Sequence, residues 1–205
     1  MKKFLAEFVG TFAIVFCGTG AIIINEISGG AITHAGIAVT FGLIVMAMIY
    51  TFPHAQFNPA VSIALAVFKM QDIFSASKHI VYQLAGALTA SFLLLLLFPS
   101  SESLGATLPS GSDLQSFILE IILMFLLMFT ALKCGEHHPQ LLGVVVGSVV
   151  LLEAMFAGPI SGASMNPARS IGPAVVSGYL ESLWVYIAAP IIGALAAVFV
   201  SKRSA

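Results

Sequence analysis

Long apolar runs separated by short polar segments dominate the chain. A helix that crosses a bilayer needs roughly 20 predominantly apolar residues. Six runs meet that need, at about 4–24, 36–52, 79–98, 116–134, 141–157 and 183–200; the second and fifth are close to the lower limit of about 17 residues. Two further apolar stretches, Asn58 to Phe68 and Asn166 to Val176, are about two to three turns long. They are too short to span and too apolar for solvated loops. The pattern therefore predicts six spanning helices and two half-helices that enter the membrane and stop inside it.

Composition supports this pattern. Of 205 residues, 59% are hydrophobic and 8% charged, against about 25% charged in soluble domains. An isolated water-soluble fold is excluded. The net charge of −1 says nothing about partners, and no nucleic acid partner is expected. Placement of the charges is more informative. Lys2, Lys3, Lys69, Lys78, Lys133, Lys202 and Arg203 fall on one side of a six-span arrangement. By the positive-inside rule that side is cytoplasmic, which puts both termini inside a multi-pass protein of the cell (inner) membrane. The outer loops carry Glu26, Glu102, Asp113 and Glu181 and no lysine. Met1-Lys2-Lys3 before an apolar run resembles the start of a signal peptide, but the run continues to about Ile24, which suits a first span. Cys17 and Cys134 lie in or at the end of apolar runs and read as small buried hydrophobes.

The chain also repeats itself. Ala6-Glu7-Phe8 opens the first span, with Phe12 five residues after the glutamate; Leu119-Glu120-Ile121 opens the fourth, with Phe125 five after. Asn58-Pro59-Ala60 begins one half-helix and Asn166-Pro167-Ala168 the other. Each half, 1–100 and 114–205, reads helix, helix, half-helix, helix. Three spans per half is an odd number, so the halves must lie in opposite orientations, an inverted repeat within one domain, 1–205. The two half-helices then enter from opposite faces, and their N-termini meet near mid-membrane.

That meeting point has useful chemistry. The first N–H groups of a helix have no intrahelical partner, and its N-terminus carries about half a positive charge. Asn at the cap and Pro at the first position are favourable helix-start residues. Asn58 and Asn166 can turn their amides toward a lumen, each NH2 donating to a passing oxygen. Two positive helix ends raise the energy of a cation there and orient water so that a proton wire is broken. One such tripeptide alone would be a turn signal. Two, at matching places in both halves, point to a pore. Arg169 is costly to place in lipid, at least a few kcal/mol, so it faces protein or water. One turn into the second half-helix, it reads as a pore-lining donor or as a structural partner of an acid.

Ala6-Glu7-Phe8-Val9-Gly10-Thr11-Phe12, Phe57-Asn58-Pro59-Ala60-Val61-Ser62 and Gly162-Ala163-Ser164-Met165-Asn166-Pro167-Ala168-Arg169-Ser170 resemble the aquaporin, or major intrinsic protein, family over nearly the whole chain. The resemblance implies an all-α membrane fold and a homotetramer with one pore per subunit. It also implies an outer filter of four residues, which map here onto Phe41, Ala154, Ala163 and Arg169. Water-only members usually carry histidine where Ala154 stands, and the usual glycerol channels follow the arginine with aspartate where Ser170 stands. Gly158-Pro159-Ile160-Ser161-Gly162-Ala163-Ser164-Met165 and Tyr186-Ile187 are similar to the plant nodulin-like branch and its bacterial relatives. That branch is associated with glycerol, urea and neutral metalloid acids as well as water. Thr51-Phe52-Pro53-His54-Ala55-Gln56 is about three residues shorter than the family's usual loop and lacks its glycine pair.

The resemblance further implies that Glu7 and Glu120 hold the re-entrant loops through backbone N–H groups; a proton relay is the alternative. Glu153 could pin the outer loop or add a polar wall. His54 could sit at the inner mouth or cap a bend after Pro53. His34 and His79 read as interfacial, and His137 and His138 as members of a solvated loop. Gly86, Gly147 and Gly193 suit close helix crossings. A secondary transporter or a scaffold with a closed pore are the competing classes. Nothing marks a nucleotide site, a nucleophile with its base, or a metal site, so neither an enzyme nor a cofactor is expected.

Overall fold

Backbone polar groups in a bilayer must be satisfied within the chain, so spanning segments are helical. In the computed structural model residues 2–204 are described; Met1, which opens the basic N-terminal stretch, and Ala205 lie outside them. Eight α-helices follow in order: α1 (Lys2–Ile27), α2 (Thr33–Thr51), α3 (Pro59–Val67), α4 (Ile73–Leu97), α5 (Asp113–His137), α6 (Leu142–Ser161), α7 (Pro167–Ser177) and α8 (Leu183–Arg203). Among the described residues six are long and apolar enough to span a membrane. The other two, α3 and α7, have 9 and 11 residues. This is the expected six-plus-two arrangement, an aquaporin-like all-α fold.

The spanning helices are longer than the apolar runs. The third spanning helix, α4, begins at Ile73 rather than at about 79. Ser75-Ala76-Ser77-Lys78 is too polar to register as membrane core, yet it is helix-compatible, and Asp72 caps it by accepting the Ser75 N–H at 2.9 Å. The fifth, α6, runs past about 157 to Ser161, carrying Pro159 within it. Gly162, at φ 82°, then closes it in the left-handed conformation that glycine adopts without strain.

The halves pack alike. Helix α1 lies on α4, α5 lies on α8, and α2 crosses α6 between the halves. Small residues set these distances. A Cβ added at Gly86 would meet the Phe8 carbonyl oxygen at 2.4 Å, and one at Gly193 would meet that of Ile121 at 2.4 Å. Phe8 follows Glu7 and Ile121 follows Glu120, so both crossings sit one residue past the buried acids. The half-helices α3 and α7 are wedged against α4 and α8 and touch each other. Outward-facing side chains such as Phe74, Leu96 and Phe156 are exposed and apolar, as a lipid-facing surface requires.

Candidate functional site

The two half-helices are tied together at their starts. Asn58 and Asn166 are both extended N-caps. The Asn58 Oδ1 accepts the Ala60 N–H at 2.9 Å, and the Asn166 Oδ1 accepts the Ala168 N–H at 3.0 Å. Each amide nitrogen reaches across to the other loop. Asn58 Nδ2 donates to the Met165 carbonyl at 2.8 Å, and Asn166 Nδ2 donates to the Phe57 carbonyl at 2.8 Å. One N–H of each NH2 is thereby used, and the second is open to a weaker acceptor or to the lumen. Met124 Sδ, 3.9 Å from Asn58 Nδ2, is a weak acceptor beside it. Pro59, Ala60, Pro167 and Ala168 are buried in the first turns behind the two asparagines.

Both loops enter through left-handed residues that are not glycine: Phe57 at φ 56°, and Ala163 and Met165 at φ 43° and 53°. Such conformations persist where surroundings over-determine them, and here the surroundings are carboxylates. Glu7 accepts the N–H groups of Gln56 and Phe57, each at 2.7 Å. Glu120 accepts those of Ser164 and Met165, each at 2.8 Å. The paired residues are the two that precede each asparagine. A buried carboxylate needs several donors to offset its desolvation. Glu7 gains two more from α4, the His79 ring at 2.7 Å and the Gln83 amide at 2.8 Å. Glu120 gains the Ser161 hydroxyl at 2.7 Å. Neither carboxylate lines the lumen.

His79 was expected at an interface; it is buried against Glu7 instead. Hydropathy could not show this, because the segment around it is amphipathic and its partner lies 72 residues away. Gln83 gave no sequence signal beyond being a polar residue in an apolar run.

A cavity of about 210 Å³ runs past both asparagines. Its walls follow one face of each helix at a spacing of four: Phe41, Val45 and Ile49 from α2, and Leu142, Val146, Val150 and Ala154 from α6. Ala163 and Arg169 line it with Phe41 and Ala154, so the four expected filter residues meet in one lumen. Pro53 and Ala55, from the shortened loop, line it too. His54 stands exposed in the turn and is not part of the wall.

Arg169 is 2% exposed. Its Nη1 donates to the Gly105 carbonyl at 2.8 Å, and its guanidinium carbon stands 5.1 Å from the Phe41 ring centroid. Among the described residues it forms no salt bridge, which removes the reading of an arginine paired directly with an acid. Gly105 belongs to the segment between α4 and α5, where the sequence marks only the outer-loop acid Glu102. Thr107 in the same segment donates to Ser170 at 2.7 Å, and Ser170 shares a hydrogen bond with Ser164 at 2.5 Å. The residue after the arginine therefore faces the protein.

Glu153 follows neither expectation. Its two carboxyl oxygens are buried without hydrogen-bond partners among the described residues, and it does not line the cavity. His137 ends α5 beside Glu136, and His34 binds the Met155 carbonyl at 2.7 Å on an exposed edge. Among the described residues no group of three or more His, Cys, Asp or Glu side chains is placed to hold a metal ion.

Comparison with known proteins gives the same picture. The family model described as major intrinsic protein matches residues 1–201. The chain is 44% identical to a probable aquaporin NIP4-2 of Arabidopsis thaliana, over 97% of this chain and 73% of that protein. It is 39% identical to nodulin-26 of Glycine max, over 98% and 76%. Its fold matches the X-ray structure of the aquaglyceroporin from Plasmodium falciparum with a TM-score of 0.86 at 26% identity, over 98% of this chain and 95% of that one. The chain belongs to the major intrinsic protein family and is a multi-pass membrane channel for water and small neutral solutes, not an enzyme.

Proposed function

We propose that the pore passes glycerol, urea or neutral metalloid acids alongside water, by passive diffusion, and excludes ions and protons. The carrying observation is the quartet at one end of the lumen, in which Arg169 is the strong donor, Phe41 one wall, and Ala154 and Ala163 the other two. Two methyl walls leave room for a solute wider than water. The Phe41 ring and the methyls suit a carbon or hydrogen face, while the guanidinium meets the oxygens. Lower in the pore, two helix N-termini and the two asparagine amides oppose cations. The similarity to a solved aquaglyceroporin and to NIP aquaporins supports this solute range.

Under this reading residues 1–205 form one channel unit of two inverted halves, 1–100 and 114–205. Asn58 and Asn166 act at its centre, Phe41, Ala154, Ala163 and Arg169 form its filter, and Glu7 and Glu120 fix its loops. Family membership supports a homotetramer with a pore in each subunit. The basic residues gathered at the end that holds Lys3 and Arg203 support cytoplasmic termini in the inner membrane.

The test is stopped-flow swelling of proteoliposomes against water, glycerol, urea and boric acid. Non-saturating flux of at least one larger solute is expected. Flux of water alone would favour a water-selective pore. Flux that saturates or follows an ion gradient would favour a secondary transporter.

A further inference from the structure

At the basic end of the seam between α1 and α4, two ammonium groups converge on one ring. Lys3 Nζ stands 4.9 Å and Lys78 Nζ 5.9 Å from the Phe4 centroid. Lys3 also donates to the Ser75 hydroxyl at 3.0 Å. Neither lysine forms a salt bridge among the described residues. The acids close in sequence are otherwise engaged: Asp72 caps α4 through the Ser75 N–H, and Glu7 is buried behind its four donors. Elsewhere at this end Lys133 has Glu136, and Lys202 has the Phe68 carbonyl.

The ring beneath the lysines is held in place, stacked on Tyr82 at 5.7 Å and edge-on to His79 at 5.2 Å. Further along the same helices, away from the basic end, Leu5 of α1 and Val81 of α4 are exposed and apolar. Two like charges over one ring repel each other. A single phosphodiester set between them would remove that repulsion and accept hydrogen bonds from both. A free anion would leave the apolar flank bare. A lipid would cover it with its acyl chains.

We propose that this seam binds an anionic phospholipid, with Lys3 and Lys78 as ligands of its phosphate and Leu5 and Val81 against its chains. Basic pockets between spanning helices suit anionic headgroups in this way. A zwitterionic lipid carries its own ammonium group beside the phosphate and gains less.

Native mass spectrometry of the full chain in detergent tests the proposal, titrating phosphatidylglycerol, phosphatidylcholine and inorganic phosphate in turn. Phosphatidylglycerol should bind the wild type roughly tenfold more tightly than phosphatidylcholine. The Lys3→Gln/Lys78→Gln double variant should lose that preference, while Lys69→Gln, which removes a charge at the same end, should keep it. The proposal fails if wild type holds both lipids equally, or if the double variant still prefers phosphatidylglycerol. It fails equally if inorganic phosphate displaces the lipid at matched concentration, which would mark a plain anion site. A double variant that changes the oligomer's mass and not its lipid count would assign the seam to a second copy of this chain.

Discussion

Gly42 and Gly147 face each other across the two halves so closely that a Cβ on either would lie 2.6 Å from the other's carbonyl oxygen. The contact is reciprocal and backbone to backbone, so no side chain can move aside to relieve it. It sets how near α2 and α6 approach, and those helices carry two of the longest strips of the lumen wall.

Gly147→Ala should therefore push α2 and α6 apart and destabilise the channel by about 1–3 kcal/mol, the usual cost of overpacking. Thermal unfolding in detergent reads this directly. Gly135→Ala is the control, because a Cβ there meets nothing within 4 Å, and it should hold or slightly raise the melting temperature, since alanine favours a helix over glycine by about 1 kcal/mol. Equal melting of both variants would mean that the helices adjust freely.

Glu120→Gln tests the loop support. The carboxylate accepts two consecutive backbone N–H groups and the Ser161 hydroxyl. A glutamine keeps one oxygen and turns its NH2 toward a donor that it cannot accept. One buried N–H is left unpaired, at a cost of about 1–3 kcal/mol, and Met165 is no longer held left-handed. Stability and water flux should fall together. Unaltered flux at unaltered stability would remove the supporting role.

Much of this is legible in the amino-acid sequence. Apolar run length marks spans because lipid cannot solvate a broken backbone. Asn followed by Pro marks a helix start because both residues suit the orphan groups there. Glu7 and Glu120 stood out as matching acids in apolar surroundings. What the sequence does not show depends on contacts between distant segments. Gly105 matters through a carbonyl, and carbonyls carry no sequence signal. His79 and Gln83 matter because α4 turns them toward Glu7, a register that hydropathy does not report. Glu153 is unusual in sequence as an acid in an apolar run, but that its oxygens have no partner among the described residues is a property of the fold.

Asn58→Asp separates capping from tying. The Oδ1 acceptor for the Ala60 N–H survives, so the half-helix keeps its cap. The donor to the Met165 carbonyl is lost, and a negative charge takes its place between two positive helix ends. Folding should persist, and the barrier to cations at the pore centre should drop. Measurable cation or proton conductance in proteoliposomes is expected, against none expected for wild type. A tight pore in this variant would place the ion barrier elsewhere, at Arg169.

The filter can be altered by size or by charge. Ala154 and Ala163 contribute methyl groups to the lumen, opposite the Phe41 ring and the Arg169 guanidinium. An imidazole at 154 would fill that side and add a second polar group, so Ala154→His should cut glycerol and boric acid flux by tenfold or more (about 1.4 kcal/mol in the barrier) and largely spare water. Arg169→Val acts differently. It removes the fixed charge and the donor, and frees the Gly105 carbonyl that Nη1 now occupies at 2.8 Å. The orphaned carbonyl and the missing charge both favour a cation at that level, so Arg169→Val should leak cations or protons while neutral flux persists. The two variants thus push selectivity along different axes, one by size and one by charge, and stopped-flow swelling paired with a proton-leak assay distinguishes them. If Ala154→His leaves every solute unchanged, then the narrowest point does not lie at the Ala154 level. The constriction would then sit at the paired asparagines, where each amide keeps a second N–H open to a weaker acceptor or to the lumen.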